Sequence, residues 1–191
     1  MDLQRIHIKI LTDAPASLNL SPLVEIFSRW RTDKNHPAGW VDMADYAHVP
    51  RGPGIVLAGL RANFSFDMAD PAPGILYVAR RGLPGSPAER VAAALKAALE
   101  LSKRLVAEKE VPPGVHLRTE AFELSFPDRL ETPPTLATHQ ELRPAVEQAL
   151  NRLFGAGAYE LALTADSAES LRYSIRAHQA APLDALLQRL R

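Results

Sequence analysis

Residues 5–11 alternate with a period of two. Ile6, Ile8 and Ile10 face one way, and Arg5, His7 and Lys9 face the other, which predicts a half-buried strand. Ser21-Pro22 then opens a helix, since serine caps free N–H groups and proline suits a first turn. Its apolar face is Leu23, Val24, Ile26, Phe27 and Trp30. Two further strands are predicted over 39–49 and 54–68, around the turn Pro50-Arg51-Gly52-Pro53-Gly54. In the second, Val56, Ala58, Leu60, Ala62, Phe64, Phe66 and Met68 line one face. On the other, Ile55, Leu57 and Gly59 give way to Arg61, Asn63, Ser65 and Asp67, a polar row open to solvent. A turn at Asp70-Pro71-Ala72-Pro73-Gly74 leads to a strand from Ile75 to Arg80, and such short connections imply antiparallel pairing.

Ser86-Pro87 opens the longest predicted helix, 87–108. Its stripe of Val91, Ala94, Leu95, Ala98, Leu101 and Leu105 is rich in alanine, which lets a helix lie close on a sheet. A strand over 115–126 carries Phe122, Leu124 and Phe126 on one face, and a helix is expected over 140–154, stopped by Gly155 and Gly157. Tyr159, Leu161, Leu163 and Leu171, Tyr173, Ile175 form a predicted hairpin around 166–170, and Pro182 starts a last helix with Leu183, Leu186, Leu187 and Leu190.

The resulting order, βαβββα-βαββα, places the chain in the α+β class: one mostly antiparallel sheet with helices packed on one face. Residues 1–191 read as a single domain, with pseudo-repeat halves at 1–110 and 115–191. Ile6, Ile8 and Ile10 stand 116 positions before Phe122, Leu124 and Phe126, and Leu20 stands 116 before Leu136. Each half resembles part of the ferredoxin-like arrangement, in topology alone.

Composition narrows the function classes. The chain is 47% hydrophobic and 23% charged, as globular proteins are. Basic and acidic residues balance at 22 each, so the basic excess of a nucleic-acid binder is missing. Near-zero charge eases self-association, and a homodimer is expected. There is no cysteine, which excludes disulfides, thiolate catalysis and cysteine-held zinc. The opening MDLQRIHIKI alternates rather than forming an apolar signal core, and no apolar run reaches membrane-spanning length. The expectation is a soluble cytoplasmic protein with no membrane partner. Abundant alanine, and arginine well in excess of lysine, suggest a GC-rich bacterial genome.

The unusual segment is 36–67. His36, Asp42, Asp45 and His48 could titrate or ligate a metal, but their spacing matches no metal motif. On a strand Asp42, Tyr46 and His48 share a face and Asp45 points away. The simpler reading is a polar strand face and a hairpin turn, with no metal and no cofactor. Gly52-Pro53-Gly54 beside Arg51 could offer N–H groups to an anion, but no helix follows as phosphate loops require. No Gly-x-Ser-x-Gly elbow presents a catalytic serine. His7 and His116 read as solvated, Trp30 as core, and Trp40 as partly exposed at a strand start. Arg80-Arg81 and Lys103-Arg104 read as separate surface charges.

These readings favour a non-catalytic binding or accessory protein. It would take a peptide or partner protein at an exposed sheet face or edge, in a bacterial peptide-processing or biosynthetic pathway. Trp40, Tyr46, His48, Arg51, Arg61 and Asn63 are the expected ligand-binding residues. One alternative is a small enzyme in which Asp42 or Asp45 holds His48 as a general base. The other is a structural or assembly subunit.

Overall fold

The computed structural model describes residues 2–69, 71–164 and 170–191. One eight-stranded antiparallel sheet carries four helices. The elements in chain order are β1 (Ile6–Thr12), α1 (Ser21–Arg31), β2 (Trp40–Tyr46), β3 (Gly54–Gly59), β4 (Ala62–Asp67), β5 (Gly74–Ala79), α2 (Pro87–Val106), β6 (Leu117–Phe126), α3 (Leu136–Phe154), β7 (Tyr159–Leu163), β8 (Leu171–Ala177) and α4 (Leu183–Arg189). Across the sheet the strands run β2-β3-β4-β5-β1-β6-β8-β7.

The core lies between one sheet face and the helices. Ile6, Ile8, Ile10, Phe64, Phe66, Phe122, Leu124, Phe126 and Tyr173 are buried there. Phe27 and Trp30 of α1 pack on Phe64 at centroid distances of 5.7 and 5.9 Å, and Phe154 of α3 packs on Phe122 at 5.5 Å. Each such ring removed from water contributes roughly 2–3 kcal/mol. Helix α2 touches β1, β5, α3 and α4, and its alanine stripe allows that central position. Ser86 starts α2 with a capping box: its side chain accepts from Glu89 N–H while the Glu89 carboxylate accepts from Ser86 N–H.

The predicted strand 54–68 is two strands. Residues Leu60 and Arg61 form a tight turn, and Ile55 pairs with Phe66, Val56 with Ser65 and Leu57 with Phe64. The order is therefore βαββββα-βαββα. The turn reverses the chain, so Ile55 and Leu57 share the helix-covered face with Phe64 and Phe66. An unbroken period of two puts them on opposite faces. Gly54 has a φ of +63° and sits where a Cβ would lie 2.0 Å from the Phe66 carbonyl oxygen, so no other residue fits that turn.

Other boundaries shift as well. Strand β2 ends at Tyr46, and β6 begins at Leu117. Helix α3 begins at Leu136, four residues upstream of the predicted start, because the Thr135 hydroxyl accepts from Thr138 N–H. Pro144 lies inside that helix. Of the two predicted turns, Asp70 and residues 166–169 lie outside the described residues.

The two central strands pair with a particular register. In β1 and β6, Ile8 stands opposite Leu124, Ile10 opposite Phe122, and His7 and Lys9 opposite Ser125 and Glu123. The residue paired with Ile8 is thus the one 116 positions after it. An approximate two-fold axis relates the strands about that pair. Strand β5 flanks β1 as β8 flanks β6, with Tyr77 opposite Ile8 and Tyr173 opposite Leu124.

Candidate functional site

The four helices among the described residues sit on one face, so the other face of the sheet carries none of them. Strand registers place its side chains in rows. One row runs Asn63, Val78, His7, Ser125, Arg172. The next runs Val56, Ser65, Leu76, Lys9, Glu123, Ser174. The row of Asn63, Ser65 and Asp67 does lie on this face, yet Ser65 and Asp67 are buried, contrary to the solvent-open expectation.

The reason is Lys9. Its side chain leaves β1, crosses β5 and reaches β4, where Nζ donates to the Asp67 carboxylate at 2.6 Å and to the Ala69 carbonyl at 2.7 Å. The crossing point is Gly74, where a Cβ would stand 2.9 Å from Lys9 Cε and 2.6 Å from the Ile10 carbonyl oxygen. Lys9 is 4% exposed and Asp67 6%. A buried pair of this kind makes little net contribution to stability, but losing one partner leaves a desolvated charge.

Around the pair lies a cleft of about 200 Å³ bordered by His7, Glu123, Ser125 and Arg172. Burial, with Arg172 and Arg5 nearby, lowers the His7 pKa to about 4. His7 is therefore half-buried and neutral near pH 7, not solvated. Burial raises the Glu123 pKa, against the opposing effects of Arg172 and Lys9. Among the described residues the His7 side chain makes no hydrogen bond, so Ser125 opposite it has no base drawing off its proton.

The residues singled out in the sequence lie in three places. Trp40 is buried on the helix side, stacked on His36 at 4.8 Å, and its Nε1–H has no partner among the described residues. It is not partly exposed, because a bulge between Trp40 and Asp42 turns it inward opposite Gly59, where there is no side chain to displace it. Asp42 and Tyr46 are exposed on the helix-free face of β2. Asp42 accepts from Met43 N–H at 2.8 Å and lies 3.8 Å from Arg31. Asp45, on the other side of β2, accepts from Ala47 N–H at 2.8 Å. His48 and Arg51 are exposed in the turn beyond β2, and Arg51 adopts a φ of 54°.

Asp42, Asp45 and His48 therefore do not converge: the two carboxylates bind their own backbone, and no hydrogen bond joins either to His48 among the described residues. Among those residues no group of three His, Asp or Glu could hold a metal ion. Arg61 is in the β3–β4 turn and Asn63 accepts from Gly59 N–H at 3.3 Å, both at the far end of β3 from His48.

Strand β2 is an edge of the sheet, paired among the described residues only with β3. Four large apolar side chains are exposed on it or in adjoining turns: Val41 (54% exposed), Tyr46, Val49 and Leu60. The sequence placed Lys9 and Asp67 on polar strand faces without pairing them, and carried no sign of Glu123. The polar parity of residues 5–11 put Lys9 on the right face, but a partner two strands away leaves no local signal. No helix among the described residues is long and apolar enough to cross a membrane. No family model matches the chain, and neither a curated protein nor a solved structure matches it significantly.

Proposed function

We propose that the chain is a non-catalytic binding protein that captures an extended peptide by adding it as a strand beside β2. The observation that carries this reading is the clustering of exposed Val41, Tyr46, Val49 and Leu60 along and around an edge strand with no outer neighbour among the described residues. Edge pairing supplies main-chain hydrogen bonds, and alternate side chains supply selectivity. Natural edges are usually guarded by lysine, proline or bulges. This one has a bulge at its start but neither lysine nor proline, and its charges are Asp42 and Asp45. An acidic, partly apolar edge favours a peptide that alternates basic and apolar residues.

A second copy of the chain is the competing occupant, and the zero net charge favours self-association. Antiparallel pairing of β2 with itself would bring four aspartates together, which disfavours it relative to a basic peptide. An accessory role in a bacterial peptide-processing or biosynthetic pathway fits such an activity. The alternatives of a His48-based enzyme or a purely structural subunit have no comparable feature in their favour.

The test uses synthetic decapeptides that alternate arginine with valine, measured by fluorescence anisotropy against the whole chain. Micromolar binding is expected, weakening at least about tenfold in the variants Tyr46→Lys and Asp42→Lys. His48→Ala and Arg51→Ala should weaken it less without unfolding the chain. Equal binding of acidic and basic peptides would sink the reading, as would a dimer on gel filtration that the Asp42→Lys variant abolishes.

A further inference from the structure

On the helix side, beside the start of β2, α2 and the sheet border an open cleft of about 430 Å³. That is within the usual range for small-molecule sites. Its walls are mostly apolar: Ala62 and Tyr77 from the sheet, Ala97 and Leu101 from α2, and Leu83 from the loop after β5. Four polar groups converge at its rim, namely His36, Arg61, Arg81 and Arg104, opposed by Glu100 alone. Arg81 and Arg104, read in the sequence as separate surface charges, face the same space.

The Tyr77 hydroxyl is the informative group. Tyr77 is 8% exposed and lines the cavity, and no residue among those described bonds its hydroxyl. Burial and the nearby Glu100 raise its pKa to about 12, so it stays a hydrogen-bond donor. Its oxygen is not fully buried, so water or a ligand in the cleft can reach it. His36 adds a second donor. Its Nδ1 accepts from Ala38 N–H at 3.2 Å, and burial, together with Arg104, lowers its pKa. The neutral ring then carries its proton on Nε2.

The charges fix the ligand class. Arg104 is held by Asp33 at 3.2 Å and lies over the Trp30 ring at 4.3 Å. Arg81 Nε donates to the Leu60 carbonyl at 3.1 Å and keeps its other donors. The Arg61 side chain has no partner among the described residues. Two guanidinium groups without a carboxylate partner among the described residues, against the one carboxylate of Glu100, suit a monoanion and oppose a dianion. We infer that this cavity binds a small organic carboxylate, its apolar body between Ala62 and Leu101 and its carboxylate on the Tyr77 hydroxyl and Arg61.

Both tryptophans of the chain touch the rim: Trp40 through His36, and Trp30 through Arg104. Intrinsic fluorescence therefore reports occupancy without a label. The whole chain is titrated with 3-phenylpropionate, octanoate and benzoate, and with 3-phenylpropionamide as the neutral control. A saturable change is expected with at least one carboxylate, and the amide should bind at least about tenfold more weakly. Arg61→Ala should weaken binding about tenfold and Tyr77→Phe about fivefold. Ala97→Trp should fill the cavity and abolish binding while thermal melting confirms its fold. Equal affinity for acid and amide overturns the inference. So does unchanged affinity in Arg61→Ala and Ala97→Trp, or no saturable change with any carboxylate up to about 10 mM.

Discussion

Tyr77 and Tyr173 occupy corresponding places in the sheet, each one strand outward from the central Ile8–Leu124 pair. Their rings are both buried, and burial raises both pKa values to about 12. Their hydroxyls meet different fates. That of Tyr173 bonds His139 Nδ1 of α3 at 3.0 Å, and the ring packs edge-on against Phe126 at 6.3 Å. That of Tyr77 opens on a cavity. The first half has an additional hairpin, and α1 lies over β2 and β3. The roof above β5 is left to α2, whose residues there include Ala97 and Leu101. The position 116 before His139 is Leu23, which has nothing to offer a phenol. A shared backbone plan thus leaves polar satisfaction to be settled residue by residue. We propose that the two halves arose by duplication and diverged at such positions.

The other face diverges in the same way, and there the largest effect is expected. Lys9 corresponds to Ser125, so the buried ion pair with Asp67 belongs to one half only. Asp67→Ala leaves an ammonium 4% exposed without its bonded carboxylate, with Glu123 on the neighbouring strand the remaining acidic group, and should cost about 3 kcal/mol. Lys9→Met combined with Asp67→Leu should recover most of that loss. Ser125→Ala, at the corresponding place, should change stability by less than about 0.5 kcal/mol. Urea unfolding of the three variants measures this, and a cost below about 1 kcal/mol for Asp67→Ala would contradict a desolvated pair.

This asymmetry bears on what could be read in the sequence. The alternation of Ile6, Ile8, Ile10 and of Phe122, Leu124, Phe126 marked the strands because one face of each is buried. The offset between them even matches the register of the central pair. The turn at Leu60-Arg61 was hidden because it carries neither glycine nor proline, and because Ala62 is small enough to continue either alternation. Trp40 was misplaced because its burial follows from a bulge and from a glycine on the neighbouring strand. The cavity was hidden because His36, Arg61, Tyr77 and Arg104 come from four separate segments. Only folding brings these together, and no local period encodes it.

His7 and Glu123 are also corresponding positions, and burial shifts them oppositely. The His7 pKa falls from 6.5 to about 4, so between those values the unfolded chain binds more protons. Stability from His7 is therefore present at neutral pH and lost as pH falls through that window, by up to about 3 kcal/mol. The Glu123 pKa is raised, so its contribution runs the other way: stability falls as pH climbs above the ordinary carboxylate range. His7→Gln should flatten the rise in stability between pH 4 and 6.5, read from urea midpoints across pH. Glu123→Gln should steepen it. Identical profiles for His7→Gln and wild type would mean that His7 is solvated.

The smallest expected effect is the most direct test of the two tyrosines. Tyr173→Phe removes a partner from His139, which is half-buried, and should cost about 1 kcal/mol. Tyr77→Phe removes a hydroxyl that bonds none of the described residues, so its cost should be near zero or slightly favourable. Thermal or urea unfolding in ligand-free buffer resolves a difference of this size. If Tyr77→Phe costs as much as Tyr173→Phe, the Tyr77 hydroxyl has a partner in the empty protein, and the two halves are alike where they were taken to differ. If the order holds, a polar group satisfied by folding in one half has been left in the other for something that arrives from outside.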